Sequence, residues 1–421
     1  MKYFAYLFLL PSLLIAGNWP AWRGAEGTGV ANENGLPPKW SATENVRWKV
    51  PLPEAGNSTP VVWGNRIFLT QPAGKDKRTL MCLDRKTGKM LWQKAVTGQP
   101  NEDTHDTNPY CSATPVTDGE RVIVWYGSAG MHCYDFDGKE LWKREFPKID
   151  HEWGYGSSPL IEGDLCIFYH GPGENSRLMA VNKKTGKTVW EAQDPPIQKR
   201  ARTDGFRGQE QKGIVGSFAS PIVVNKELIM VYPQMICAFD PKTGKELWRC
   251  DGLNELIYTS PIAGDGVVVA MGGFLGTSVA VKQGGKGDVT ETHRLWTSVR
   301  TKNRLGSGVI KDGYVYVLNT EAIAECIELK TGKSLWQERV TAVGPKSSSW
   351  SSMVLAGDHI YVLNQSGDTV VMKAAPKFEI VGVHSIGNEL TNASHALSDG
   401  EIFIRTHQHL WCIGQTRTAS R

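Results

Sequence analysis

Apolar residues along this chain fall in short runs that Gly, Asp, Asn and Pro keep breaking, and the alternation inside those runs is that of strands rather than helices. One stretch sets the frame: Cys82-Leu-Asp84-Arg-Lys-Thr87-Gly88-Lys-Met-Leu-Trp92. It recurs as Ala180…Gly186…Trp190, Ala238…Gly244…Trp248 and Cys326…Gly332…Trp336. In these four copies the small residue stands ten positions before the Trp and the Gly four before it. A fifth copy, Cys133…Gly138…Trp142, is one residue shorter in the turn. The block reads as a hairpin, in which Gly supplies the positive φ of the turn and Asp and Thr bond its amides.

Upstream of each block lies a second hairpin. Its starts are Thr59-Pro, Thr114-Pro, Ser158-Pro, Ser220-Pro, Ser260-Pro, Ser307-Gly, Met353-Val and His395-Ala. Eight starts spaced roughly 40–60 residues apart, with four strands each, predict an all-β fold, an eight-bladed β-propeller of four-stranded antiparallel blades. The eighth unit runs out after Leu410-Trp411-Cys412-Ile413, one strand short, whereas residues 44–50 form a strand with no blade of their own and carry Trp48. Joining the two closes the ring and leaves no bare edge. The organisation expected is a leader over 1–17, an N-terminal extension over 18–43, the closing strand and blades over 58–414, in a single domain 18–421.

The leader reading rests on Lys2, the apolar stretch Tyr3 to Ile15 interrupted by Pro11, and the small pair Ala16-Gly17: a secretory signal pattern, too short to span a bilayer. Asn18 stands where a lipoprotein would carry Cys. The expectation is an exported chain, periplasmic or secreted, without a lipid anchor or a transmembrane segment. A net charge of +4 over 421 residues, with Lys75, Lys77 and Arg78 as the densest basic cluster and Asp76 inside it, argues against a nucleic-acid partner. Cys82, Cys133, Cys326 and Cys412 occupy the slot that holds Ala elsewhere and read as packed free thiols. Cys111, Cys166, Cys237 and Cys250 stay open between thiol and disulfide. No CxxC occurs, and no metal site is expected.

The Ala/Cys…Gly…Trp frame resembles the tryptophan-docking repeat of the PQQ-like (quinoprotein-type) β-propellers, over roughly residues 44–414. That superfamily includes quinoprotein alcohol dehydrogenases and the outer-membrane assembly lipoprotein BamB. The N-terminal segment from Trp19 and Trp22 to Trp40 is similar to secreted bacterial members. The resemblance implies a blade-docking role for Trp48, Trp92, Trp142, Trp190, Trp248 and Trp336, which as large apolar groups belong between blades.

Candidate chemistry belongs at the mouth of the ring, where the connections into the innermost strands converge. Those connections carry Asn57, Tyr110, Tyr155, Phe218, Tyr258, Arg304, Trp350 and His395, a set suited to a flat or sugar-like ligand or to plugging the channel by mutual packing. Two longer connections face the same way. One carries Glu102, Asp103, His105 and Asp106, read as solvated rather than metal-binding; the other carries Lys199, Arg200, Arg202, Asp204 and Arg207. His151-Glu152-Trp153 is read in the same way. No phosphate-cradling Gly loop and no Ser-His-Asp set is placed on this frame.

Three functions are open. The first is a BamB-like, non-catalytic envelope scaffold that contacts a protein or glycan partner as a monomer and needs no cofactor. The second is a PQQ-dependent alcohol dehydrogenase of the polyvinyl alcohol type; the resemblance would then imply PQQ with calcium and a catalytic Asp, neither assignable to numbered residues, and the adjacent-cysteine disulfide of many such enzymes has no counterpart here. The third is a carbohydrate-binding surface protein.

Overall fold

A computed structural model describes residues 17–415 apart from 100–101, 174, 199, 201–214, 274 and 300–301. Except for Gly17, the expected leader lies outside the described residues. The described residues form eight four-stranded antiparallel blades, whose innermost strands begin at Val61, Val116, Leu160, Ile222, Ile262, Val309, Val354 and Ala396. The last blade is completed by Val46–Pro51, which pairs antiparallel with His409–Gly414. The closing strand therefore runs two residues later at its start than the sequence pattern places it. Among the described residues helix is confined to one turn, Thr290–His293, and a short 3-10 segment, Gly127–Ala129.

Burial follows strand position. In the first blade the middle strands Arg66–Ala73 and Lys77–Asp84 are buried nearly throughout, because both faces meet a neighbouring blade, whereas the outer strand Met90–Thr97 alternates between half-buried and exposed. The apolar clusters accordingly lie between blades. Cys82 and Phe68 of the first blade pack with Val122 and Tyr134 of the second, and Ala180 and Trp190 of the third with Ile229 and Trp248 of the fourth.

Each repeat Trp sits opposite its small residue across the last two strands, at a bulge: Cys82 faces Trp92, Ala238 faces Trp248 and Cys412 faces Trp48. The indole N–H then reaches a carbonyl in the turn of the next blade. Trp48 donates to Arg85 O (2.8 Å), Trp92 to Phe136 O (2.9 Å), Trp142 to Lys183 O (2.9 Å) and Trp190 to Pro241 O (3.0 Å). The ring lies flat on the turn Gly of that blade; at Gly88, Gly186 and Gly244, all with φ near +70°, a Cβ would overlap it. Trp248 differs, donating to the Glu227 carboxylate of its own blade at 3.1 Å. Trp336 is half-buried and lies 3.4 Å from Ala375 O.

Two docking indoles lie outside the sequence frame. Trp296 faces Ala280 and donates to Leu329 O (2.8 Å), displaced along the chain by the Thr290–His293 insertion. In the seventh blade the position opposite Val371 is Gly382, and that seam is packed by Trp40 of the N-terminal extension, stacked at 3.8 Å on His384.

A second set of links runs around the channel. The backbone N–H of Thr59 donates to the Thr114 hydroxyl, Thr114 N–H to Ser158, Ser158 to Ser220 and Ser220 to Ser260. Ser260 continues to Ser307, Ser307 to Ser352, Ser352 to Ser394, and Ser394 back to Thr59. All eight bonds are between 2.8 and 3.3 Å. The circuit is closed, and each blade supplies one donor and one acceptor.

The N-terminal extension crosses the channel on the face opposite the mouth. Trp19 exchanges two 2.9 Å backbone bonds with Val62, Pro20 O accepts from Thr117 N, and Val30–Ala31 pairs in parallel with Leu355–Ala356. Between them Arg23 is buried and donates to the carbonyls of Gly27, Thr28, Ser307 and Gly308. Burial among neutral acceptors pulls its pKa down to about 9, which still leaves it charged at neutral pH.

All eight cysteines are buried free thiols, the four left open by the sequence included. Burial raises the pKa of every one and suppresses the reactive thiolate. The native protein is therefore expected to resist iodoacetamide, and the chain unfolded without reductant to label at all eight positions by peptide mapping; a missing label would reveal a disulfide. Ser260→Ala removes one acceptor of the channel circuit and leaves the Ser220 N–H unpaired. It is expected to cost about 1–3 kcal/mol in urea unfolding, as for a buried donor left without its bond.

Candidate functional site

The segment before each circuit hydroxyl is extended, so side chains two positions back project on the same side as the hydroxyl, toward the channel. Those positions hold Asn57, Phe218, Tyr258 and Trp350 and, in the other four blades, Ser112, Gly156, Leu305 and Asn392. All eight line one cavity of about 360 Å³ at the mouth. Trp22 of the N-terminal extension lines this cavity and also a second one of about 430 Å³ on the opposite face, so it forms the partition between them.

The rim is raised by two connecting loops. His105, Thr107 and Asn108 come from the connection after the first blade, and Trp153 from the one after the second. Asn108 Nδ2 ties the loops together by donating to Trp153 O (2.8 Å) and Tyr155 O (3.0 Å). Trp153, Phe218 and Tyr258 form a cup, with ring centroids 6.0–6.2 Å apart and planes inclined by 31–53°. Asn57 Nδ2 donates to Thr107 O (2.9 Å), while its Oδ1 is buried without a partner.

Of the mouth residues read from the sequence, Asn57, Phe218, Tyr258 and Trp350 line the cavity, and Tyr110, Tyr155, Arg304 and His395 do not. Tyr155, one position out of phase, is buried beside Trp125. Arg304, likewise out of phase, pairs with buried Glu325 at 3.1 Å. Tyr110 lies over the Arg78 guanidinium at 3.5 Å and donates to Glu102 O. His395, on the far side of its circuit hydroxyl, is fully buried and contacts the Thr369 hydroxyl at 2.9 Å.

The solvated reading of Glu102 is corrected as well. Glu102 and Arg78 are both buried and paired at 3.1 Å, and Glu102 also accepts the Ser128 N–H. This pair anchors the loop that carries His105 and Asn108 over the mouth. Asp103, His105 and Asp106 are exposed, and no cluster of three metal-ligating side chains occurs among the described residues. His151 is buried edge-on to Phe218 at 5.3 Å. In the second long connection Arg200 bonds Asp251 at 3.1 Å; Lys199, Arg202, Asp204 and Arg207 lie outside the described residues.

The family model described as outer membrane protein assembly factor BamB matches residues 30–109, 104–338 and 208–419. The chain belongs to this family of PQQ-like propellers. BamB of Yersinia pestis is 22% identical over 366 residues, 83% of this chain and 82% of its own. Among solved structures, BamB of Moraxella catarrhalis superposes with a TM-score of 0.59 at 13% identity, covering 89% of this chain and 98% of that one. A quinohemoprotein alcohol dehydrogenase from Comamonas testosteroni superposes with 0.66 at 12% identity, covering 96% and 82%. At such identities these structures share the fold with this BamB family member.

PQQ is a planar tricarboxylate held with calcium, and calcium takes oxygen ligands that include carboxylates. Among the described residues lining the mouth there is no Asp, Glu, Lys or Arg. The described residues do not fit the group, since none of them carries a fixed charge to neutralise its carboxylates or a carboxylate to hold its cation.

The buried imidazole at His395 gives the ring a pH dependence. Burial pushes its pKa down to about 3, so the folded ring is neutral, whereas an unfolded histidine titrates near 6.5. Unfolding takes up a proton below that value, so its contribution to stability is complete above pH 6.5 and is lost as the pH falls toward 3. His151, His170, His384 and His407 shift in the same direction, also by burial. The urea midpoint is expected to fall between pH 7 and pH 5, and His395→Gln to flatten that dependence by up to about 1.4 kcal/mol per pH unit; an unchanged slope would show that the imidazole binds its proton equally in the folded and unfolded chain.

Proposed function

We propose that this protein is a non-catalytic scaffold of the bacterial envelope, exported and without a bound cofactor, whose loop-bearing face holds a protein partner in outer-membrane protein assembly. Membership of the BamB family supports the assembly role, since its relatives bear that description. The observation that carries the non-catalytic part is the mouth lining, which among the described residues holds no Asp, Glu, Lys or Arg and whose one imidazole, His105, is engaged at Nδ1 by Thr107. The rigid ring beneath it supports the same reading, since a closed circuit of hydrogen bonds and a channel spanned by the chain's own residues favour a fixed surface over a moving site. No helix among the described residues is long and apolar enough to cross a membrane.

Calorimetric titration with PQQ and Ca²⁺, run beside a dye-linked alcohol oxidation assay, tests the non-catalytic part. The expected result is neither saturable binding nor turnover. Stoichiometric binding with turnover would replace the scaffold by a quinoprotein dehydrogenase. For the assembly role, cells lacking the chain are expected to hold less outer-membrane β-barrel protein, and unchanged amounts would overturn it.

A further inference from the structure

The aromatic lining of the mouth is distinct from the docking indoles. The docking indoles are spent between blades, and the channel is already spanned by the N-terminal extension on the opposite face. Trp22, Trp153, Phe218, Tyr258 and Trp350 nevertheless stand half-buried around an open cavity, drawn from five separate parts of the chain. Exposed aromatic surface gathered in one concavity is the mark of a ligand site.

The chemistry of the lining selects the ligand. We infer that the mouth cavity binds a neutral carbohydrate unit. The apolar C–H face of a pyranose packs against aromatic rings, and its hydroxyls, each donor and acceptor, pair with side-chain amides. Amides stand at Asn57, Asn108, Asn303 and Asn392 around the rim. Asn57 Oδ1 is buried with no donor, so a sugar hydroxyl would satisfy it. With no charged side chain among the described lining residues, a phosphate, sulfate or uronate would enter without a counter-charge, which burial penalises. A nucleobase or quinone wants parallel faces. Here the three walls incline by 31–53° to one another, a cup that receives a puckered ring better than a flat one. The inference is independent of the scaffold reading, because the site would serve a sugar whether or not the outer face holds a protein.

The test is titration of the full chain with neutral oligosaccharides of glucose, galactose and N-acetylglucosamine, followed by tryptophan fluorescence and calorimetry. Adenosine and glucuronic acid serve as the flat and the charged comparison. Saturable binding of a neutral saccharide is expected, weakened about tenfold or more in both Trp350→Ala and Asn57→Ala, with unchanged unfolding midpoints in the same preparations. Leu335→Ala, on an exposed outer strand, is expected to leave it unaltered. Should either cavity variant fail to fold, Tyr258→Ala supplies the second reading. The inference is overturned if no neutral saccharide binds at millimolar concentration, if adenosine or glucuronic acid binds more tightly, or if the folded cavity variants bind as the parent does.

Discussion

Buried backbone donors must be satisfied, and in this protein the N–H just before each innermost strand is satisfied only by the next blade. That single requirement accounts for the hydroxyl at each of eight equivalent positions and for the handing of every bond forward around the channel. In five blades the following residue is Pro, which has no N–H of its own, so the demand per blade is reduced to one donor. Because the circuit closes from Ser394 to Thr59, a blade is complete only when its successor is in place. The indole links at the periphery repeat this logic at larger radius. The ring is thus tied twice, near its axis by hydroxyls and near its rim by tryptophans.

The functional geometry follows from the inner tie. Fixing a hydroxyl fixes the phase of the extended segment before it, and the phase fixes which side chain looks into the channel. The eight wall residues of the mouth are therefore set by the same register that holds the ring together, while Trp22 and the two anchored loops add a floor and a rim. A rigid cup results, with its character decided by eight positions that the circuit leaves free to vary.

The architecture was legible because the frame repeats. Five copies of a small residue, a Gly and a Trp, together with eight hairpin starts, leave little room for another fold, and the spare strand around Trp48 pointed to closure. What escaped was whatever lacked that spacing. The insertion before Trp296 places it sixteen positions after Ala280 instead of ten, and Trp40 reaches a seam by tertiary packing that no local pattern records. At the mouth, bulky residues in the right segments were selected without regard to phase. Tyr155 and Arg304 therefore stood in for their neighbours Gly156 and Leu305, and counting two back from each hydroxyl would have separated them. The buried Arg78–Glu102 pair was invisible because its partners come from a strand and a loop that only the ring brings together.

The pairing of Val46–Pro51 with His409–Gly414 also bears on how such a chain emerges during synthesis. Val46–Pro51 has no partner in its blade until His409–Gly414 has appeared, nearly the whole described length later. Through that interval its edge is bare and the hydroxyl circuit is open, so the nascent chain presents unpaired strand to anything that holds unfolded polypeptide. Arrival of His409–Gly414 converts an open row of blades into a ring in one step. A chain cut short before this strand would lack the partner for Val46–Pro51, and the fold thereby registers whether the ring has been completed.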